Sequence, residues 1–217
     1  MSYASQACPE RENIHVVQSE PDGVYGLLGL PENAKGLIVF VHGLYPLSPW
    51  EQRAASMLRR LPLATLMVDL MTVDDETHPD EIIEAEALAA RLVAVTRWAR
   101  SIDDLAHLPL GYFASGVGLG VAFSAAAQLG SDVSAIVSHA GRVENNDAML
   151  AHVRAPTLFV SGGGDQEATH MAREALARME CPKWYVTVPG VGKITGDREL
   201  IDDAATFAAI WYSRHLH

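Results

Sequence analysis

Residues 111–120 read GYFASGVGLG, where a serine and three alternating glycines separate an apolar strand-like run from an apolar helix-like one. Two chemistries use such a turn. A dinucleotide-binding loop needs G-x-G-x-x-G early in a βαβ unit. Gly116, Gly118 and Gly120 give only G-x-G-x-G, the required third position is Val121, and the stretch falls mid-chain. The other use is a nucleophile elbow, a strained strand-to-helix turn with small residues two before and two after the reactive one. Centred on Ser115 the flanks are Phe113 and Val117, too bulky; centred on residue 116 they are Ala114 and Gly118, which fit. Residue 116 is itself a glycine, so the turn has no nucleophile. Glycine adopts that backbone without the roughly 1–3 kcal/mol of strain that a side chain there would bear. A plainer reading, glycines that only let helix and strand pack closely, fits the same letters.

Other residues able to do chemistry are scattered along the chain. Asp165 stands in GGGDQE and Lys193 in PGVGK; His42 and Gly43 stand in VHG, with Leu44, Tyr45 and Trp50 just beyond. His139 ends an apolar run at the rim where open α/β sheets bind ligands, and Arg142 follows it as a partner either for a substrate carboxylate or for the neighbouring ENND. Ser115, next to the elbow, is expected to direct its side chain away from the cleft. No spacing of His, Cys, Asp and Glu matches a metal site, and His78 with its acidic neighbours reads as a solvated loop.

These residues are placed by an alternation of short apolar runs and longer helical patterns, the mark of a mostly parallel sheet covered by helices. NIHVVQS and GVYGLLGL read as an antiparallel start. GLIVFV, LATLMVDL, LPLGYFA, VSAIVSH, PTLFVSG and KWYVTV complete about eight strands, several apolar on both faces as buried parallel strands are. Six helices are predicted: SPWEQRAASMLRRL, with Ser48 as N-cap and Pro49 at N1; DEIIEAEALAARLVAVTRWARSI, by its 3.6-residue spacing; then GLGVAFSAAAQLG, DAMLAHV, EATHMAREALARM and RELIDDAATFAAIWYSRHL. The segment between the sixth and seventh strands is too short for a large lid.

The 217 residues carry a formal net charge of −11, 49% hydrophobic residues and 20% charged ones. One domain over 1–217 is expected, with residues 1–12 poorly ordered. The negative charge disfavours nucleic acid and anionic membrane surfaces as partners. Two cysteines, Cys8 and Cys181, make no disulfide framework. With no secretory leader pattern at the N-terminus, they point to a cytoplasmic protein with reduced thiols. A homodimer is compatible with the sequence but is not demanded by it.

Over about Ala34–His215 the chain resembles the bacterial dienelactone-hydrolase-like branch of the α/β-hydrolases. The likeness rests on VFVHG, LATLMVDLMT, RLVAVTRWAR, the elbow, AIVSHAGR, RAPTLFVSGGGD and CPKWYVTVPGVGK. It implies an α/β-hydrolase fold, no cofactor, and a small-molecule cleft. It implies that Asp165 is the family acid, that Gly116 stands at the nucleophile position, and that Lys193 stands at the histidine position of a P-G-x-x-H motif. Backbone N–H groups of Leu44 and Val117 would be the oxyanion donors, with His42 shaping their loop. With nucleophile and base both replaced, acyl-enzyme hydrolysis is not expected. Lys193 is left to salt-bridge Asp165, to act as a base, proton donor or Schiff-base former, or to face solvent. Three functions stay open: non-hydrolytic chemistry of the lyase, isomerase or cyclase type; a catalytically inactive binding or partner-regulating module; and a hydrolase with an unrecognised nucleophile.

Overall fold

A computed structural model of the chain describes residues 11–17, 24–42, 48–72, 75, 83–141, 147–189 and 198–216, with side chains described from residue 24 onward but not for Asp147 and Ala148. The strands are β1 Arg11–Val17, β2 Val24–Leu30, β3 Leu37–Val41, β4 Ala64–Asp69, β5 Leu110–Ser115, β6 Ala135–His139, β7 Thr157–Gly162 and β8 Lys183–Val188. They form one eight-stranded sheet in the order β1-β2-β4-β3-β5-β6-β7-β8. β1 pairs antiparallel with β2 and β2 antiparallel with β4, whereas all pairs from β4 through β8 are parallel. The antiparallel start and the parallel remainder match the sequence expectation. Arg11 and Glu12 pair with Leu30 and Gly29 at the start of β1.

Among the described residues the helices are α1 Pro49–Arg59, α2 Ala85–Ser101, α3 Asp103–Ala106, α4 Gly118–Leu129, α5 Asp147–His152, α6 Gln166–Arg178 and α7 Arg198–His215. The seventh, unexpected helix is the four-residue α3, too short for any periodicity to show. His215, expected in a loose terminus, closes α7 with its ring 4.3 Å from that of Trp211.

Strand alternation sorts the core into two layers. Leu37, Val39, Val41, Tyr112, Ala114 and Ile136 pack beneath α2 and α4, alongside Leu88, Leu92, Leu119 and Phe123. Ile38, Phe40, Phe113, Ala135 and Val137 face the other way, onto Ala54, Ala55 and Leu58 of α1 and Ile201, Ala204 and Ala208 of α7. Because successive side chains of a strand alternate faces, the residues at the carboxyl ends of β3, β5 and β6 have assigned sides. His42, Ser115 and His139 each continue the Phe40, Phe113 and Val137 series, and all three fall on the α1 side. Buried Tyr212 of α7 ties this layer to the sheet by donating its hydroxyl to the carbonyl of Tyr112 at 2.7 Å.

Candidate functional site

The turn from β5 into α4 has the geometry of an elbow. Gly116 has φ +52, a left-handed conformation that side chains avoid, and a Cβ built there meets no described atom within 4 Å. Two residues on, a Cβ at Gly118 would lie 2.5 Å from the carbonyl oxygen of Val41 and 3.1 Å from the carbonyl carbon of His42. Ala114, two residues before, is completely buried. Among the described residues, the chain is therefore pinched tight on both sides of a point with no neighbour of its own. Val117, the N-cap residue of α4, is 55% exposed, so the helix begins at the same opening.

Beside this turn lies a polar cluster not anticipated from sequence. Ser48 caps α1 and forms a capping box with Glu51, which puts the Glu51 carboxylate at the first turn, over the ends of β3 and β5. Glu51 is only 4% exposed. Its Oε1 accepts from His42 Nδ1 and from the Ser115 hydroxyl, the latter at 2.5 Å, while Oε2 accepts from the Ser48 hydroxyl at 2.8 Å and the Ser48 amide at 3.2 Å. Burial pushes the Glu51 carboxyl up, but the hydrogen bonds from His42, Ser115 and Ser48 and the His42 charge outweigh it and hold the group below its ordinary value. The site thus keeps a buried, fully hydrogen-bonded anion.

The bonding also fixes proton positions. A carboxylate only accepts, so His42 carries its proton on Nδ1 and Ser115 gives its own to Glu51. Ser115 Oγ lies 3.1 Å from His42 Nδ1, the same nitrogen that serves Glu51. In a hydrolytic triad the acid and the serine occupy opposite ring nitrogens; here they share one. Ser115 consequently has no imidazole base to take its proton. The signal for Glu51 was legible as S-P-W-E, a serine followed three residues later by glutamate, but that pattern predicts only a cap.

His139 pairs in register with Ser115 and is 5% exposed. Its ring stacks beside Phe113 at 6.4 Å, and its Nε2 is buried without a hydrogen-bond partner among the described residues. Burial drives its pKa down to about 4 against an upward pull from Glu51, so it is neutral at pH 7. The next residue, Ala140, has φ 47, conformational strain on the order of 1–2 kcal/mol at the same rim.

Asp165 follows β7, is 7% exposed, and caps α6 by accepting from the Ala168 amide at 3.0 Å. Gly43, Leu44, Tyr45, Arg142, His78, Cys8 and Lys193 lie outside the described residues, as does any Lys193–Asp165 contact. Trp50 sits at the start of α1, 38% exposed. Cys181 is a buried free thiol that burial pushes up in pKa. His170 is on α6, 3.6 Å from Glu174. Among the described residues no group of His, Cys, Asp and Glu could hold a metal, and no helix is long and apolar enough to cross a membrane. A groove lined by Leu30, Pro31, Glu32, Ala34, Asp104, His107 and Leu108 lies at the opposite edge of the sheet, where the parallel strands begin.

No protein-family model matches the sequence. A Mycobacterium tuberculosis protein named "Putative phosphoribosyl transferase" is 34% identical over 210 residues, 96% of this chain. The chain spans about half the length, 47%, of that relative. The crystal structure of a dienelactone hydrolase from Anabaena variabilis superposes with a TM-score of 0.90 at 31% identity, covering 96% of this chain and 99% of the other. A dienelactone hydrolase-like promiscuous phosphotriesterase from metagenomic libraries shares the fold, with a TM-score of 0.75 at 13% identity over 96% of this chain and 99% of its own. An elbow pinched between Val41 and Gly118, an eight-stranded sheet with an antiparallel start, and a near full-length match at 31% identity agree: the chain belongs to the dienelactone-hydrolase-like family of α/β-hydrolases.

Proposed function

We propose that this chain is a family member that has left acyl-enzyme chemistry and uses the ancestral cleft for a small organic molecule without forming a covalent intermediate. The observation that carries this is Gly116: an intact elbow whose apex has φ +52, no side chain, and open space above it. Nucleophilic catalysis needs an oxygen or sulfur at that point with a base in reach. Ser115, one residue earlier, is committed to Glu51. By the family motifs Asp165 keeps the acid position and Lys193 replaces the histidine, so the triad is degenerate at two of three places. What remains is a cleft with a helix N-terminus and backbone donors, able to stabilise developing negative charge on oxygen without a nucleophile. Lyase, isomerase or cyclase chemistry suits such a site.

A second reading has support in the length of the mycobacterial relative, more than twice the matched segment. In that reading the domain binds a ligand without turnover and regulates an attached or associated transferase. The phosphoribosyl transferase name belongs to the relative as a whole and does not fix chemistry on this half.

The test is reaction with a fluorophosphonate probe and with p-nitrophenyl acetate. No serine is labelled and no ester turnover above background is seen; stoichiometric labelling of any serine, Ser115 included, overturns the proposal.

A further inference from the structure

We infer that Glu51 and His42 form a carboxylate–imidazole pair that acts as a proton acceptor toward the space above Gly116. This rests on the non-hydrolytic reading and names its acid–base group. The pair is built from three elements. β3 ends at Val41 and delivers His42; the capping box of α1 delivers Glu51; β5 delivers Ser115 between them. Nδ1 is turned inward to Glu51 and Ser115. Among the described residues nothing is hydrogen-bonded to His42 Nε2, and His139 Nε2 is the single side-chain atom both buried and unpartnered. The His42 side chain is 19% exposed, so the ring is reachable from solvent.

An anion on one ring nitrogen fixes the tautomer, aims the other nitrogen, and raises its basicity. Among the described residues, the groups that face this imidazole are Glu51 and Ser48 on α1, Ser115 on β5, and the neutral His139 on β6. No cation among them competes for Glu51. His42 is also adjacent to the elbow, since its carbonyl carbon is within 3.1 Å of the Cβ position at Gly118. We place the substrate at this β5–α4 turn, where the backbone of His42 meets the start of α4.

The substrate class is a small carbonyl compound with an acidic C–H. His42 Nε2 removes the proton next to the carbonyl. The C–H electron pair becomes the C=C bond of an enolate, and the charge moves to oxygen, facing the helix terminus. In a β,γ-unsaturated substrate the enolate is a dienolate: the oxygen's electron pair re-forms C=O, the double bond moves to the α,β position, and the imidazolium, paired with Glu51, gives the proton to the γ carbon. The net change is an isomerisation in which protons and electrons balance and no co-reactant is consumed.

The probe is 5-nitrobenzisoxazole, which opens to a coloured cyanophenolate when a base takes its one acidic C–H. Wild-type protein accelerates this elimination at least tenfold over His42→Gln. Glu51→Gln, which keeps the capping box, lowers kcat for the elimination while leaving KM in place; a purely structural Glu51 would move both or neither. His42→Ala regains elimination when imidazole is added, which guards against a variant that merely folds poorly. Wild-type elimination no faster than His42→Gln, or an unchanged kcat in Glu51→Gln, overturns the inference. Fluorophosphonate labelling would instead overturn the non-hydrolytic reading, so the two fail separately.

Discussion

Gly118 lies directly against the end of β3: a Cβ on it would stand 2.5 Å from the carbonyl oxygen of Val41. That oxygen is backbone and cannot turn aside, so Gly118→Ala forces α4 away from the sheet and costs several kcal/mol, about 3 or more by analogy with overpacked cores. Gly120, in the same helix, has open space at its Cβ position, and Gly120→Ala gains about 0.5–1 kcal/mol from helix propensity. Gly116→Ala has room but the wrong backbone sign, and loses about 1–3 kcal/mol. Urea denaturation of the three variants tests the order 120 above wild type, then 116, then 118.

The sequence exposed the elbow through its small-residue frame because a steric rule leaves a trace in residue size. The same holds for Pro49 and Ser48 at the start of α1 and for the doubly apolar strands such as LIVFV. Glu51 was not legible as a site residue. Its letter is explained completely by the capping box, and its contacts to His42 and Ser115 join positions 9 and 64 residues apart through strand order that no local pattern carries. His139 was placed at the correct rim, yet its burial and orphaned nitrogen depend on the packing of Phe113 from a neighbouring strand. DEIIE was read as the start of the second long helix; α2 begins at Ala85 with Glu84 as an N-cap that makes no side-chain bond, so no capping letter marked the boundary.

Protonation of His139 gives the protein a pH-dependent stability at mildly acid pH. Its folded-state pKa of about 4 lies below the ordinary 6.5, so the unfolded chain binds the proton first. The contribution is complete above about pH 6.5 and is lost progressively as pH falls toward 4, an effect on the order of 3 kcal/mol. His139→Phe, which fills the same space beside Phe113 and removes the unpartnered nitrogen, is no less stable than wild type at pH 8 and flattens the fall. Equilibrium denaturation at pH 8, 6 and 4.5 distinguishes the two proteins.

Glu51 produces a second loss at lower pH. Burial raises its pKa and its hydrogen bonds lower it, with a net shift downward. Its stabilisation is therefore present above the ordinary glutamate value and disappears as pH falls through the depressed folded one. Glu51→Gln keeps the capping box, since glutamine also serves at N3, but removes the anion and abolishes this lower window. Glu51→Ala also leaves the His42, Ser115 and Ser48 donors unpaired and costs about 3–5 kcal/mol at neutral pH. A Glu51→Ala protein as stable as wild type at pH 7 would show that the cluster is not the tightly bonded unit described.

Restoring the two triad positions that the proposed function takes as replaced tests whether the cleft remains an acyl-transfer scaffold. The space above Gly116 accepts a Cβ without collision, and in Gly116→Ser the strain of φ +52 falls on a residue placed to attack a carbonyl. Alone, that serine lacks a base, because His42 spends its inner nitrogen on Glu51 and the proposed function sets Lys193 at the family histidine position. Gly116→Ser combined with Lys193→His therefore acts together rather than additively: each single change leaves p-nitrophenyl acetate hydrolysis near background, and the pair raises it on the order of a hundredfold, well below the full contribution of an evolved triad. Fluorophosphonate labelling should appear at residue 116 in the pair and remain absent from Ser115. Labelling at Ser115 in the wild-type background would place the reactive oxygen one residue earlier and reverse the assignment of Gly116 as the vacated nucleophile position.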